Sequence, residues 1–256
     1  MDLARRRPTD LTRRKVPEIT LSFWVIKILT TAMGEVTSDY LVRTFNPLVV
    51  VPVTAVALGL ALLVQLRANR FIPGIYWLVV AMVAIFGTMA ADVLHIELGV
   101  PYLVSTVFFA LVLAVVFGVW RSSEGTLSIH AIDSRRRELF YWATVLATFA
   151  LGTATGDMTA STLRLGYLAS GILFAGLFIV PALGYRLAGL NAVVAFWSAY
   201  ILTRPFGASF ADWIGRPRTL SGLGLGTGSV SLALTLLIVA LVVSQSIGRT
   251  EPDRAR

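Results

Sequence analysis

Eight windows of about twenty apolar residues run down this chain, and they constrain its fold more than any other feature. They fall near 20–42, 47–66, 73–94, 101–120, 139–162, 166–187, 191–213 and 223–246. A stretch of that length spans a hydrocarbon core of roughly 30 Å as an α-helix. Of the 256 residues, 56% are hydrophobic and only 14% charged, where a soluble domain carries about 25% charged residues. The mean hydropathy is +0.78. The expected class is therefore all-α: a polytopic membrane protein of eight transmembrane helices. No cysteine is present, which excludes disulfides, thiolate metal sites and a cysteine nucleophile. The first apolar segment is long, contains Lys27 and lacks a small-residue cleavage pattern, so it reads as a helix and not as a cleavable signal.

Basic residues set the expected orientation, because Lys and Arg prefer cytoplasmic loops. Sixteen lie on one side: Arg5, Arg6, Arg7, Arg13, Arg14 and Lys15, then Arg67 and Arg70, Arg121 with Arg135, Arg136 and Arg137, Arg186, and Arg249, Arg254 and Arg256. Four lie on the other, namely Arg43, Arg164, Arg216 and Arg218. Both termini are expected in the cytoplasm. The division is a basic tail (1–18), a membrane domain (19–246) interrupted by a cytoplasmic loop at 121–138, and a second tail (247–256). The +8 net charge sits mostly at helix ends and in the tails, so the expected partner is the lipid bilayer and not nucleic acid. The run Arg135-Arg136-Arg137 reads as a topology signal or an anionic-lipid contact.

One element recurs four times. An aromatic–Trp pair stands at Phe23-Trp24, Tyr76-Trp77, Tyr141-Trp142 and Phe196-Trp197. Ten residues after each Trp comes a glycine (Gly34, Gly87, Gly152, Gly207), and five later an aspartate (Asp39, Asp92, Asp157, Asp212). Such self-similarity marks tandem repeats, here two-helix hairpins at about 19–70, 71–120, 139–187 and 191–246. Copies of two spans enter the bilayer in the same direction, so they are related by a pseudo-symmetry axis along the membrane normal. Trp24, Trp77, Trp142 and Trp197 are expected as interfacial anchors, about 22 Å from the aspartates at 1.5 Å per residue. Each glycine has a small residue four places on (Ser38, Ala91, Gly156, Ala211), a pattern that lets helix backbones approach closely in lipid.

The copies differ in polarity. Helix 1 carries a stripe of Trp24, Thr31, Glu35, Ser38 and Asp39 with Lys27 at its edge. The Glu35 position becomes Thr88, Thr153 and Ala208; the Thr31 position becomes Ala84, Phe149 and Arg204; the Lys27 position becomes Val80, Val145 and Tyr200. Charges in hydrocarbon are expensive and face a bundle interior. An intramembrane ion pair is therefore expected among Arg204, Glu35 and Lys27, with Arg204 on Glu35 or Asp39.

The string KVPEITLSFWVIKILTTAMGEVTSDYL, taken with the four Trp-x9-Gly-x4-Asp copies, resembles a bacterial membrane-protein family catalogued as domain of unknown function 347. The resemblance covers residues 15 to about 246. It implies a four-repeat inner-membrane protein and brings no activity with it. The last copy departs from the others after Asp212, where RPRTLSGLGLGTGSVS replaces short turns. Its glycine-rich run, Gly222 to Gly228, lacks the Lys-Ser/Thr of a phosphate loop. It reads as a loop or a close-packed helix start, with a gating segment as the alternative.

Two functional readings stay open. In the first, Asp39, Asp92, Asp157, Asp212, Glu35, Thr88 and Thr153 line an ion or substrate site of a transporter or channel. All-oxygen ligands suit hard divalent cations, with the four aspartates as the metal ligands. Carboxylates crowded together also suit proton coupling. In the second, the aspartates hold helices in register in a non-transporting scaffold or sensor. His95 and His130 are the only histidines, no hydrolase or HExxH pattern is present, and no enzyme activity or cofactor is expected.

Overall fold

The computed structural model describes residues 15–247. The basic residues expected in the tails at 1–14 and 248–256 lie outside the described residues. Eight long helices follow: α1 (Leu21–Thr44), α2 (Pro47–Arg67), α3 (Pro73–Asp92), α4 (Tyr102–Glu124), α5 (Arg135–Asp157), α6 (Gly166–Leu187), α7 (Ala192–Gly215) and α8 (Thr227–Ile247). Starts are set by local chemistry. The Thr20 hydroxyl accepts from the Phe23 amide, Ser134 does the same for Arg137, and Asn191 for Val193, each satisfying an amide that the first turn leaves free. Proline opens α2 and α3, where its missing N–H has no partner to lose. Ser134 moves the start of α5 four residues ahead of its apolar window, to Arg135.

Among the described residues six helices are long and apolar enough to cross a membrane: α2 to α6 and α8. The other two, α1 and α7, are those that carry Lys27, Glu35 and Asp39, and Arg204 and Asp212.

Burial separates two rings. The apolar windows of α3 and α5 are 50% and 67% buried, against 22% or less for α2, α4, α6 and α8. Helices α1, α3, α5 and α7 form a closed inner ring, in which α1 and α5 each pack on both α3 and α7. The outer helices are interleaved with it: α2 leans chiefly on α3, α4 on α5, α6 on α7, and α8 closes back on α1. Leucines and valines crowd the exposed faces, among them Leu60, Leu111, Ile172 and Leu236, a surface suited to lipid.

The repeat glycines build the ring joints. A Cβ on Gly34 would collide with Ala84, one on Gly87 with Phe149, one on Gly152 with Arg204, and one on Gly207 with Thr31. Those four obstacles occupy one repeat position, so a single joint is used four times and each helix receives the next. Small residues permit this approach.

The repeat tryptophans depart from expectation. Trp77, Trp142 and Trp197 are buried, and Trp24 is half-buried. They pack into an aromatic layer with Phe23, Tyr76, Tyr141 and Tyr200 instead of standing at a lipid interface. Both rings of the Tyr76-Trp77 and Tyr141-Trp142 pairs turn inward because the inner helices meet there. Trp197 donates its Nε1 proton to the Leu127 carbonyl (2.9 Å), and Tyr76 and Tyr141 join through their hydroxyls.

A polar clamp fastens this end. Lys15 Nζ pairs with Glu138 Oε2 at 2.6 Å, and Gln65 donates to Glu138 Oε1 at 2.8 Å, tying the segment before α1 to the end of α2 and the start of α5. In the 121–138 loop, Arg136 and Arg137 both pair with Glu124.

Gly34→Val should lower thermal stability in detergent by about 1–3 kcal/mol, the usual cost of overpacking, because its neighbour is helix backbone. Gly176→Ala, on an outer helix with nothing within 4 Å of the added methyl, should be neutral or slightly stabilising. Differential scanning fluorimetry of the two purified variants checks both.

Candidate functional site

Along the ring axis the polar side chains stack in levels. Nearest the aromatic layer is Lys27, fully buried, with no hydrogen-bond partner for Nζ among the described residues. Its Nζ lies 4.2 Å from the centroid of the Phe149 ring and 4.4 Å from that of Tyr200. The expected place of Lys27 in an ion pair is thus corrected. No carboxylate reaches it, because Glu35 lies two turns further along α1 and is taken by Arg204, leaving aromatic faces as its neighbours.

Arg204 forms the next level. Its Nη2 donates to Glu35 Oε2 at 2.6 Å, to Thr153 Oγ1 at 2.7 Å and to Thr88 Oγ1. The three acceptors stand at one repeat position on α1, α5 and α3, so a single guanidinium from α7 binds the whole inner ring. The Thr88 hydroxyl donates to the Ala84 carbonyl, and that of Thr153 to the carbonyl of Phe149, which leaves their lone pairs aimed at the arginine. Gly152 gives the arginine stem room to pass. Both members of the pair are buried, Arg204 fully and Glu35 to 2% exposure.

Beyond Arg204 come the carboxylates. Glu35, Asp157 and Asp212 place an oxygen each within 4.8 Å of one another. Asp39, Asp92 and Asp157 line a cavity of about 300 Å³ at the end of the bundle where the inner helices terminate. All four repeat aspartates therefore gather at one end of the ring. Their surroundings differ. Arg216, just past α7, pairs with Asp212 (Nε to Oδ1, 2.9 Å) and with Asp39 (Nη2 to Oδ2, 2.9 Å). Burial works against the Arg216 charge, but Asp212 and Asp39 outweigh it and hold its pKa above the ordinary value. Asp92 and Asp157 have no hydrogen bond or ion pair among the described residues. Three of the five carboxylates thus pair with the guanidiniums of Arg204 and Arg216, with Arg43 at the rim 3.9 Å from Asp39.

Two features of the cavity lie beyond the sequence pattern. Directly after Asp92 and after Asp157 the helix widens into one π turn, Val93–Glu97 and Met158–Thr162. Such turns often mark functional positions. Ten residues after those same aspartates, Tyr102 and Tyr167 open α4 and α6 and line the cavity. The spacing of ten was visible in the sequence, but only the shared π turn shows why it brings a ring back to the carboxylate. The glycine-rich run after α7 is a docked hook. The amides of Leu223, Leu225 and Gly226 donate to the carbonyls of Trp213, Ile214 and Gly215, satisfying the last turn of α7. Gly224 and Gly226 have φ of +80° and +82°, where glycine is unstrained. This hook holds Arg216 over the aspartates.

Glu35→Gln leaves a buried guanidinium without its counter-charge and should cost about 3–5 kcal/mol of stability. Glu35→Leu combined with Arg204→Leu should recover most of that loss. Equilibrium unfolding in mixed detergent micelles measures both; equal losses in the two would show that the pair is not the stabilising unit.

The family model described as Repeat of Unknown Function (DUF347) matches residues 22–71, 75–126, 140–189 and 195–250. No curated protein and no solved structure matches the chain.

Proposed function

We propose a function from the geometry alone, since the chain belongs to the DUF347 repeat family, whose description names no activity: the protein is a carrier for a cation. In this reading all eight helices span a bacterial inner membrane with both termini in the cytoplasm. The two helices too polar to cross by composition are sheltered by the other six. The observation that carries the proposal is the convergence of Asp39, Asp92 and Asp157 on one cavity, with Asp92 and Asp157 left without a hydrogen-bond or ion-pair partner among the described residues. Unpaired carboxylates in such surroundings call for a cation.

The cavity opens at the aspartate end, which this orientation places outside. Toward the other end the axis is closed by Arg204, then Lys27, then the aromatic layer. The buried Arg204 guanidinium on the axis opposes a continuous cation pore, which favours a carrier over a channel. A cation reaching the carboxylates from outside competes with Arg204 for Glu35. Release inward then requires the Arg204 contacts to rearrange. Glu35, Thr88 and Thr153 thus act through Arg204, and Asp92 and Asp157 meet the cation directly.

Purified protein in liposomes should carry at least one member of a panel of protons, divalent metals and ammonium compounds. The double variant Asp92→Asn with Asp157→Asn should lose that flux at least tenfold while remaining folded. No flux of any panel member by well-folded wild type would sink the carrier reading. A phosphatase fused to the C-terminus should stay inactive and a fluorescent protein there should be bright, which checks the orientation.

A further inference from the structure

Resting on the cation-carrier reading, we infer that the ligand is a small organic ammonium, a primary alkylamine or short diamine, held by Asp92, Asp157 and the rings of Tyr102 and Tyr167. Size is the first argument. A cavity of about 300 Å³ has room for roughly ten waters at about 30 Å³ each, far more than one dehydrated metal ion fills. It stands at the lower bound of pockets that take small organic molecules.

The lining is the second. Beside the carboxylates, Val42, Val51, Met89 and Val93 give the cavity an apolar wall. Such a wall offers nothing to a hydrated ion and suits an alkyl chain. Tyr102 and Tyr167 complete it, each ten residues beyond an unpaired aspartate, so two copies of the repeat supply the same carboxylate-plus-ring pair. Aromatic rings beside carboxylates recognise ammonium groups. Tyr102 is braced by His95, whose ring stacks on it at an interplanar angle of 19° and whose Nδ1 lies 2.6 Å from the Val100 carbonyl. The π turn after Asp92 places that histidine.

The third argument is a cation the protein already supplies. The Arg216 guanidinium sits 5.7 Å from the centroid of the Tyr167 ring while pairing with Asp39 and Asp212. It makes with one side of the cavity the contacts an organic ammonium would make with the other.

The metal alternative has fewer free ligands. Of the three clustered carboxylates, Glu35 is committed to Arg204 and Asp212 to Arg216.

Titration calorimetry of the full chain in nanodiscs, with 1,4-diaminobutane and separately with MnCl₂, tests the inference. Wild type should bind the diamine. Asp157→Asn should weaken it at least tenfold, and so should Tyr102→Leu with Tyr167→Leu. Tyr102→Phe with Tyr167→Phe keeps both ring faces and should stay within about threefold, which separates recognition from folding. Mn²⁺ binding that depends on Asp157, with no diamine binding, would overturn the organic-ammonium inference and leave the cation reading standing. Diamine binding indifferent to the leucine pair would also overturn it. Binding of neither ligand by folded wild type, together with no flux in liposomes, would remove both readings.

Discussion

A guanidinium cut off from water has to find every partner within the protein, and around Arg204 that requirement organises the bundle. Its side-chain partners come from one position of the other three repeats, Glu35, Thr88 and Thr153, and its Nη1 also reaches the Thr31 carbonyl. Four helices that a symmetric glycine joint brings together are thereby locked by a single asymmetric contact. Glycine approach supplies the close packing, and the arginine supplies the register. Among the described residues the charge is paired with one carboxylate, Glu35, so copies one and four are fixed as an electrostatic pair while copies two and three contribute neutral hydroxyls. The division extends upward. Copies two and three carry the π turns, the tyrosines and the unpaired aspartates, and copies one and four carry the aspartates neutralised by Arg216. A fourfold scaffold has become a two-sided site, with one side satisfied internally and the other open.

Much of this was legible in the sequence because helices and repeats leave periodic traces. Six of the eight apolar windows begin within one residue of the observed helices' starts, and two differ by four: the fifth, where Ser134 caps α5 early, and the eighth, where a glycine-rich run hooks back before α8. The joint was readable from the Trp-x9-Gly-x4-Asp spacing, and the demand of a buried arginine for a carboxylate pointed to Glu35. Contacts that depend on how helices rotate against one another were not legible. The tryptophans have the amphipathic character of interfacial residues, and only the meeting of four inner helices shows that they are core. Lys27 looked like a member of the ion pair by helical phase, yet Glu35 is already held. Thr88 and Thr153 looked like ligands by chemistry, but their lone pairs face a guanidinium. Lys15, Gln65 and Glu138 gave no local sign of one another, since they come from segments up to 123 residues apart.

The interleaved outer ring has a consequence for how the chain is made. Each outer helix finds its main neighbour in the following repeat, and α8 finds its neighbour in α1. During synthesis from the N-terminus, α1 therefore waits without its last contact until the whole chain has emerged. Glu35 waits with it, because Arg204 is 169 positions later. The closing contact is among the longest-range in the molecule, and contacts of that separation form late. A ring of this kind cannot be proofread piece by piece. A chain released short of α7 would expose an unneutralised buried acid on its first helix, and that is a mark by which quality control in the membrane could tell a finished copy from an unfinished one.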